Sequence, residues 1–304
     1  MYEQITRNRI RSALLILGAL VLAGGLGYLF GYLFGGGVLG LIVALVIAAV
    51  MSFASYRYGD RIVLRASRAR PASPEEYPKL HNIVEGLCIA AGLPKPAIYV
   101  IPEQAPNAFA TGRDPEHASV AVTQGLLAMM NRVELEGVLG HELSHVKNRD
   151  MLVNTLAATL VGVVVLIAGW MRWGLFWGGM GRGRDRGGGG GGGNPIALVL
   201  LVLTLVAMIL APLAAQLIRF AVSRRREYLA DADGALLTRY PPGLAGALRK
   251  IAAAPNTMRV ANNATAHLWF SQPSRAVGEG HTRVERLFST HPPIEERIRI
   301  LEEM

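Results

Sequence analysis

His141-Glu142-Leu143-Ser144-His145 is the segment whose residue types and spacing point most directly to chemistry. On a helix, residues four apart share a face, so His141 and His145 could reach the same metal ion. Glu142 lies beside the first histidine, where it could touch a metal-bound water without binding the metal. Zinc lowers the pKa of such a water to about 7, so a neighbouring carboxylate can take its proton. The pattern predicts a zinc peptidase.

The same five residues also fit an ordinary exposed helix turn, because a short pattern can arise by chance. The neighbouring sequence favours a helix with a close partner. Asn131 and Glu134 have the spacing of a capping box, which marks a helix start. Gly137 and Gly140 each cost a helix about 1 kcal/mol relative to alanine. We therefore expect the motif on a helix against which another element packs closely.

The composition indicates a membrane protein, because the chain is 51% hydrophobic and only 17% charged, with a mean hydropathy of +0.32. Residues 12–56 carry no charge, and as a helix they would be about 67 Å long, roughly twice the hydrocarbon thickness. Glycines 35–37 divide this run into two spans near 12–34 and 38–56. A cleaved signal peptide has a much shorter apolar core. We predict a retained membrane hairpin over residues 1–56.

Two later uncharged runs, Met151–Met171 and Asn194–Ile218, are also long enough to cross a bilayer. They predict a second membrane hairpin over 151–218, hence four transmembrane helices in all. A re-entrant hairpin or buried helices remain open, because the first of these runs contains an asparagine and two threonines. The glycine run Gly187–Gly193 lies in the connecting loop, where we expect flexibility and assign no function.

Arginine clusters at 7–11, 57–70 and 219–226 fall on one side of a four-span arrangement, which should be the cytoplasmic side. The arginines at 172–186 contradict this rule. Contact with anionic lipid accounts for much of the net charge of +9, so no nucleic acid partner is needed. Cys88 is the one cysteine, which excludes an internal disulfide, and we expect it in the core.

Residues 57–150 are predicted to form a small α+β catalytic unit on the cytoplasmic side. Its predicted elements are a helix at Pro78–Ala91, strands at Ala97–Ile101, Asn107–Thr111 and Ser119–Thr123, a hairpin turn at 112–115, and then the motif helix. Residues 219–304 are predicted to be mainly helical. The expected fold is therefore an α-helical membrane protein that carries a small metallopeptidase unit.

A catalytic zinc held by two histidines needs a third protein ligand, and Glu227 is the best candidate. Asp231 lies one helical turn further on and could accept the outer N–H of a ligand histidine. The alternative is a solvated acidic pair near arginines. His145 shortly precedes the third apolar run and Glu227 shortly follows the fourth, so a hairpin of two spans would return both to one membrane face.

The order of these motifs resembles the HtpX family of bacterial membrane metalloproteases. The likeness rests on the motif with Asn148 and Asp150 after it, on Arg-Glu-Tyr-Leu-Ala-Asp at 226–231, on Asn-Ala-Phe-Ala-Thr-Gly at 107–112, and on Ser-Thr-His-Pro-Pro at 289–293. It implies His141, His145 and Glu227 as ligands of one zinc ion per chain, Glu142 as general base and Asp231 as support. It also implies proteolysis of misfolded or surplus membrane proteins, a quality-control role in the bacterial inner membrane.

Two further positions are weaker candidates. Asn107 begins a predicted strand that could pair with a substrate backbone at the active site, or be an ordinary internal strand. His291 could contact the oxyanion, or could merely precede a helix that begins near Pro292 and Pro293.

We interpret the chain as a membrane-anchored zinc endopeptidase that acts on protein or peptide substrates. A prenyl-protein (CAAX) endopeptidase shares the motif, although it would need more spans than the four predicted here. A non-catalytic metal-binding membrane scaffold is the rival from another class, and the intact Glu142 argues against it. The sequence leaves the natural substrates and the oligomeric state open.

Overall fold

Two long apolar helices form the N-terminal part of the chain. This computed structural model describes residues 2–33, 36–161, 224–254, 258, 265–271 and 292–304. Helix α1 is Tyr2–Leu33 and helix α2 is Gly37–Ala66, and they pack against each other. A Cβ on Gly27 would overlap the side chain of Ala44, so the two backbones approach closely there.

Both helices contain segments that are long and apolar enough to cross a membrane, Ile5–Gly25 and Gly37–Ala66. Many of their large apolar side chains are exposed; Val21 is 68% exposed and Val46 is 58% exposed. Such a surface is too apolar to face water along its whole length. The predicted hairpin at 1–56 is thus seen as two packed helices, the second continuing ten residues beyond the predicted end.

A four-stranded sheet follows, formed by β1 Arg70–Pro71, β2 Ala97–Ile101, β3 Ala108–Gly112 and β4 Ala118–Thr123 in the order β1-β2-β4-β3. Strands β2 and β4 are parallel, and the other two pairs are antiparallel. The predicted strands are confirmed, with shifts of one residue in β3 and β4. A short loop that contains the 3-10 helix Pro115–His117 joins these two strands, and it begins at Gly112, whose φ of +143° is a conformation that side chains disfavour.

Helix α3, Pro78–Ala91, ends where predicted, at Gly92 with φ +65°. Its buried face includes Cys88, which is 3% exposed and joins the main apolar core as expected. The apolar stripe of this helix lies in the same core cluster as Ile98, Val100 and Val120 of the sheet.

The motif helix is α5, Arg132–Lys147, which follows the short helix α4, Gln124–Met129. The capping box is confirmed, because the Asn131 and Glu134 side chains each accept from the other residue's backbone N–H. Nearly every residue of α5 from Leu135 to Val146 is buried. The helix therefore runs through the interior of the molecule.

Helix α6, Asp150–Val161, begins the third apolar run directly after α5. Arg149 turns the chain between them with φ +58°. The side chain of Ser55 on α2 bonds to Thr159 on α6, so this part of the run packs against the N-terminal hairpin. Residues 162–223 lie outside the described part of the chain, and with them the rest of this run, the glycine run Gly187–Gly193 and the fourth apolar run.

Three helices complete the described C-terminal part: α7 Arg224–Thr238, α8 Pro241–Ala253 and α9 Ile294–Glu302. Helices α7 and α8 pack closely on α5 through glycines. A Cβ on Gly137 would lie 2.7 Å from the backbone nitrogen of Leu244, and one on Gly234 would lie 2.8 Å from that of His141. The close partner predicted for the glycine-bearing face of the motif helix is thereby confirmed.

Candidate metal centre

Three side chains from two helices converge in the interior. His141 and His145 share one face of α5, and their Nε2 atoms lie 3.2 Å apart. Glu227 of α7 places one carboxylate oxygen 3.8 Å from Nε2 of His141 and the other 3.7 Å from Nε2 of His145. All three residues are buried. The motif helix and the segment of Glu227, which the sequence predicted to meet, therefore do so, although His145 and Glu227 are 82 residues apart.

The spacing of these atoms suits a zinc ion. Two ligand atoms at about 2.0–2.1 Å from zinc, in tetrahedral geometry, lie roughly 3.3–3.4 Å apart. The three donor atoms all lie within 4.8 Å of one another, and two imidazoles with one carboxylate are a common donor set for catalytic zinc. Lone pairs that face one another in a dry interior need a cation between them, so these residues fit the metal that the sequence motif implies.

Carboxylates occupy the outer nitrogen of each imidazole. Nδ1 of His141 lies 2.8 Å from Asp231, and Nδ1 of His145 lies 3.2 Å from Asp150. A proton held on each Nδ1 leaves the Nε2 lone pair free for a metal, and the carboxylates fix the orientation of both rings. Asp231 lies where the sequence predicted. Asp150 entered the sequence argument only as part of a family pattern, without a role.

Arg297 of α9 is the main residue that sequence reasoning missed. Its Nε and one terminal nitrogen donate to the two oxygens of Asp231 at 2.8 and 2.7 Å. Another nitrogen donates to the carbonyl of Phe270 at 3.3 Å, and the residue is only 1% exposed. A bidentate pair of this kind holds a buried carboxylate anionic and in one orientation. No spacing rule in the sequence marks this arginine.

Burial and neighbouring charges shift the pKa values of the two histidines in opposite directions. Burial lowers the pKa of His141 to about 4, although Asp231 acts against it. Burial would also lower the pKa of His145, but Asp150 and Glu227 outweigh it and raise this pKa to about 9. For Asp231, burial would raise the pKa, yet Arg297 and His141 lower it. The carboxylates of Asp150, Glu227 and Asp231 thus give the centre negative charge that a cation would offset.

Glu142 lines the same small space as His141, His145 and Glu227, and it also contacts strand β3 of the sheet. It is 2% exposed, and the backbone N–H of Ala110 in β3 donates to it. Burial raises the pKa of Glu142 to about 7, with Glu227 adding to the effect and His145 acting against it. A carboxyl group with this pKa can both take and return a proton at neutral pH.

A small enclosed space of about 10 Å³ adjoins the centre, enough for about one water molecule. Its walls include Glu142, Ala110 and the segment His267–Phe270. His267, which had no ligand spacing in the sequence, is buried here, and its Nε2 lies 3.2 Å from the carbonyl of Asn154. Only the fold brings this histidine to the centre.

Strand β3 is an edge strand of the sheet, as one of the two sequence interpretations required. Part of that edge is covered by the chain itself: Phe270 N–H donates to the Ala108 carbonyl at 2.8 Å. The Asn107 amide donates to the Ser271 carbonyl at 2.7 Å and accepts from the Ser271 N–H at 3.0 Å. Asn107 therefore binds main-chain atoms, but here they belong to Ser271 of the same chain and not to a substrate. His291 lies outside the described residues.

A helical unit that buries a His-Glu-x-x-His helix beside a distant glutamate has the construction of a metallopeptidase. Comparison with known proteins defines the group. The model described as "Peptidase family M48" matches residues 74–304, and the chain belongs to this family.

The relatives extend the match to the whole chain. A "Protease HtpX homolog" from Thermoanaerobacter pseudethanolicus is 45% identical over all of this chain and 98% of its own length. One from Caldanaerobacter subterraneus subsp. tengcongensis is 43% identical with the same coverage. The crystal structure of S. mikatae Ste24p aligns with a TM-score of 0.49 and 20% identity, over 99% of this chain and 67% of that one. The resemblance to the HtpX family is confirmed, and the chain is a membrane-associated metalloprotease.

Proposed function

We propose that His141, His145 and Glu227 bind one zinc ion per chain, with Glu142 as general base. The observation that carries the proposal is the meeting of three buried donor atoms, each within 4.8 Å of the others. Asp231 and Asp150 would hold the two imidazoles in the tautomer that a metal needs. Arg297 would keep Asp231 anionic in that task.

Bound zinc would supply a Lewis acid that polarises a peptide carbonyl and acidifies a water molecule. Glu142 performs the proton transfers: it accepts a proton during attack on the carbonyl and passes it to the leaving amine. Burial raises the pKa of Glu142 above that of an ordinary carboxyl group, which favours its accepting a proton in the first step. The surrounding side chains exclude bulk water, which strengthens every charge interaction in the centre.

The proposed substrates are misfolded or surplus proteins, membrane proteins among them. The edge strand β3 supports this, since it lies beside Glu142 and an extended substrate could pair with it by main-chain hydrogen bonds. Such bonds do not read side chains, which suits a protease of broad specificity. In this scheme Asn107 contacts substrate backbone after its partner Ser271 gives way, and His291 contacts the oxyanion.

For the membrane arrangement we propose four spans, with hairpins at 1–56 and 151–218 and with both 57–150 and 219–304 on the cytoplasmic face of the bacterial inner membrane. The arginines at the ends of these segments and the two apolar helices α1 and α2 support it. A single cysteine at Ser73, in a Cys88→Ser background, should resist an impermeant thiol reagent added to intact cells. Fast labelling would contradict the orientation.

The catalytic proposal is tested on the full chain purified in detergent, with zinc content and cleavage of a denatured protein measured on each sample. Glu142→Gln should keep one zinc per chain and lose at least about 10²-fold in cleavage, the lower end for a general base. Glu227→Ala should lose both zinc and cleavage, because two histidines alone hold the metal weakly.

Glu136→Gln is the matched control. Glu136 lies on the same helix but points outward to Arg132, so zinc content and cleavage should match the unaltered protein. Near-normal cleavage by Glu142→Gln would remove this residue from the mechanism. Full zinc content in Glu227→Ala would place the third ligand elsewhere.

A further inference from the structure

Asn8 lies in the first turns of α1, and its side chain contacts residues that are distant in the sequence. It is only 1% exposed, and its side-chain nitrogen donates to the carbonyl of Asn148 at 2.9 Å, 140 residues further along the chain. The same nitrogen donates to a carboxylate oxygen of Asp150. One amide from the N-terminal hairpin thus binds the turn that leaves the motif helix.

Asp150 connects this amide to the proposed zinc ligands. Its second oxygen lies 3.2 Å from Nδ1 of His145. Arg226, the neighbour of Glu227, approaches the first oxygen at 3.4 Å. The carboxylate therefore stands between a residue of the first membrane helix and a ligand imidazole, and its orientation depends on donors from α1 and α7.

Packing brings α1 to this position. Leu15, two turns beyond Asn8, is 2% exposed and joins an apolar cluster with Leu152, Val153, Leu156 and Ala157 of α6. Helix α6 begins at Asp150, so the contact that fixes α1 on α6 also fixes the distance between Asn8 and Asp150. The two observations, apolar packing and hydrogen bonding, describe a single docked arrangement.

The chemistry of an amide suits this position better than a charged or apolar group would. An amide nitrogen offers two hydrogens, one for each acceptor, without a charge that would compete with the imidazole for the carboxylate. Oδ1 of Asn8 is buried without a partner among the described residues, which costs free energy that a leucine would not. A leucine would avoid that cost but would leave the Asn148 carbonyl and an Asp150 oxygen without this donor, so the role of asparagine lies in the hydrogens it donates.

We propose that Asn8 is a positioning residue of the metal centre: it holds Asp150, which in turn holds His145, so the first membrane helix completes the support of the zinc site. The inference rests on the proposed zinc ligands. Docking of the hairpin and assembly of the metal centre become a single event, and α1 acts as part of the catalytic unit as well as an anchor.

The test measures the zinc dissociation constant of the purified full chain by competition with a chelator, together with the unfolding midpoint of the metal-free protein. Asn8→Leu keeps nearly the same size and removes both donors; Asn8→Ala removes them with the smallest group. Each should weaken zinc binding on the order of 10-fold, as losses around metal ligands do. The metal-free midpoint should change little, because the removal of the unpaired Oδ1 offsets part of the cost of the two lost hydrogen bonds.

Ser12→Ala is the matched control. Ser12 is buried one turn further along α1, and its hydroxyl has no partner among the described residues, so the zinc affinity should stay within about twofold. In an Asp150→Asn background, Asn8→Leu should add less than about a twofold further loss, because both residues act along a single path.

Three results would overturn the inference while zinc binding by the unaltered protein stands: unchanged affinity in both Asn8 variants, an equal loss in the Asp150→Asn background, or a loss matched by a lower metal-free midpoint. If the unaltered protein binds no zinc, the proposed function fails first and the role of Asn8 fails with it.

Discussion

The N-terminal hairpin and the metal centre arrange polarity in opposite ways. Helices α1 and α2 expose their apolar side chains, such as Val46 at 58%, and bury small and polar ones, such as Ser52 and Ser55. Helices α5, α7 and α9 bury charge instead: Glu227, Asp231 and Arg297 are each less than 5% exposed. The outside of the hairpin matches lipid, whereas the inside of the catalytic unit matches an ion.

The difference shows what each region requires from the sequence. Exposed apolar groups on the hairpin need only a hydrophobic surrounding, so composition and length suffice to specify them. Buried charges need partners at defined distances, because an unpaired one costs several kcal/mol. Asn8 and Asp150 lie where the two regions meet. Like the buried charges of the second region, they are polar groups that pair with each other in the interior.

The strongest test of this contrast removes one partner of a buried ion pair. Arg297→Met keeps the bulk of the side chain but leaves Asp231 anionic in the interior. We expect a loss of about 3–5 kcal/mol in the free energy of unfolding, measured by denaturant titration of the purified protein in detergent.

The double variant Arg297→Met with Asp231→Asn should recover part of that loss, since it removes the orphaned charge. A free energy of unfolding for Arg297→Met within about 1 kcal/mol of the unaltered protein would show that the pair is not part of what holds α9 on the centre.

Changing pH sharpens the contrast from the side of the metal centre. His145 has a raised pKa of about 9, so below that pH its proton must leave before a metal can bind. Zinc affinity should therefore rise about tenfold per pH unit between pH 6 and 8 and level off towards pH 9, with about one proton released per zinc. His141, with a pKa of about 4, is already neutral in this range. Chelator-buffered titrations at several pH values measure the slope.

Asp150→Asn should flatten that slope, because it removes a carboxylate that raises the pKa of His145. An affinity independent of pH in the unaltered protein would contradict the charge balance described for the centre.

The smallest expected effect comes from the outer surface of the hairpin. Val46→Ala removes apolar surface that is already exposed in α2, and the free energy of unfolding in detergent should change by less than about 0.5 kcal/mol. Leu156→Ala in α6 is the buried counterpart and should cost about 2–5 kcal/mol. Similar losses in both would mean that the exposed face of α2 is packed against another part of the protein.

The sequence determined the features that depend on neighbours along the chain. The capping box of α5, the glycine end of α3 and the bounds of β2 follow from short-range rules, and the structure agrees with each. The first two apolar runs, which length and hydropathy define, are helices. Because these patterns are repeated or local, a single sequence is enough to recognise them.

Glu227 marks the boundary of what such reasoning reaches. Its place opposite His141 and His145 followed from where the apolar runs return the chain, and from the need for a third ligand. That argument used topology and chemistry together. A separate argument, from the cost of Gly137 and Gly140 to a helix, predicted close packing there, and the contacts of α7 and α8 with α5 confirm it.

Only the tertiary structure decided which distant residues complete the centre. Arg297 joins Asp231, Asn8 joins Asp150, and Phe270 and Ser271 cover the edge of β3, each across a separation that no periodicity encodes. A surface arginine and a buried one look the same in a sequence, since the charge pair exists only after α7 and α9 have packed. Local sequence patterns specify the helices that bear the residues of the metal centre. Tertiary packing decides which distant side chains pair with the buried charges of that centre.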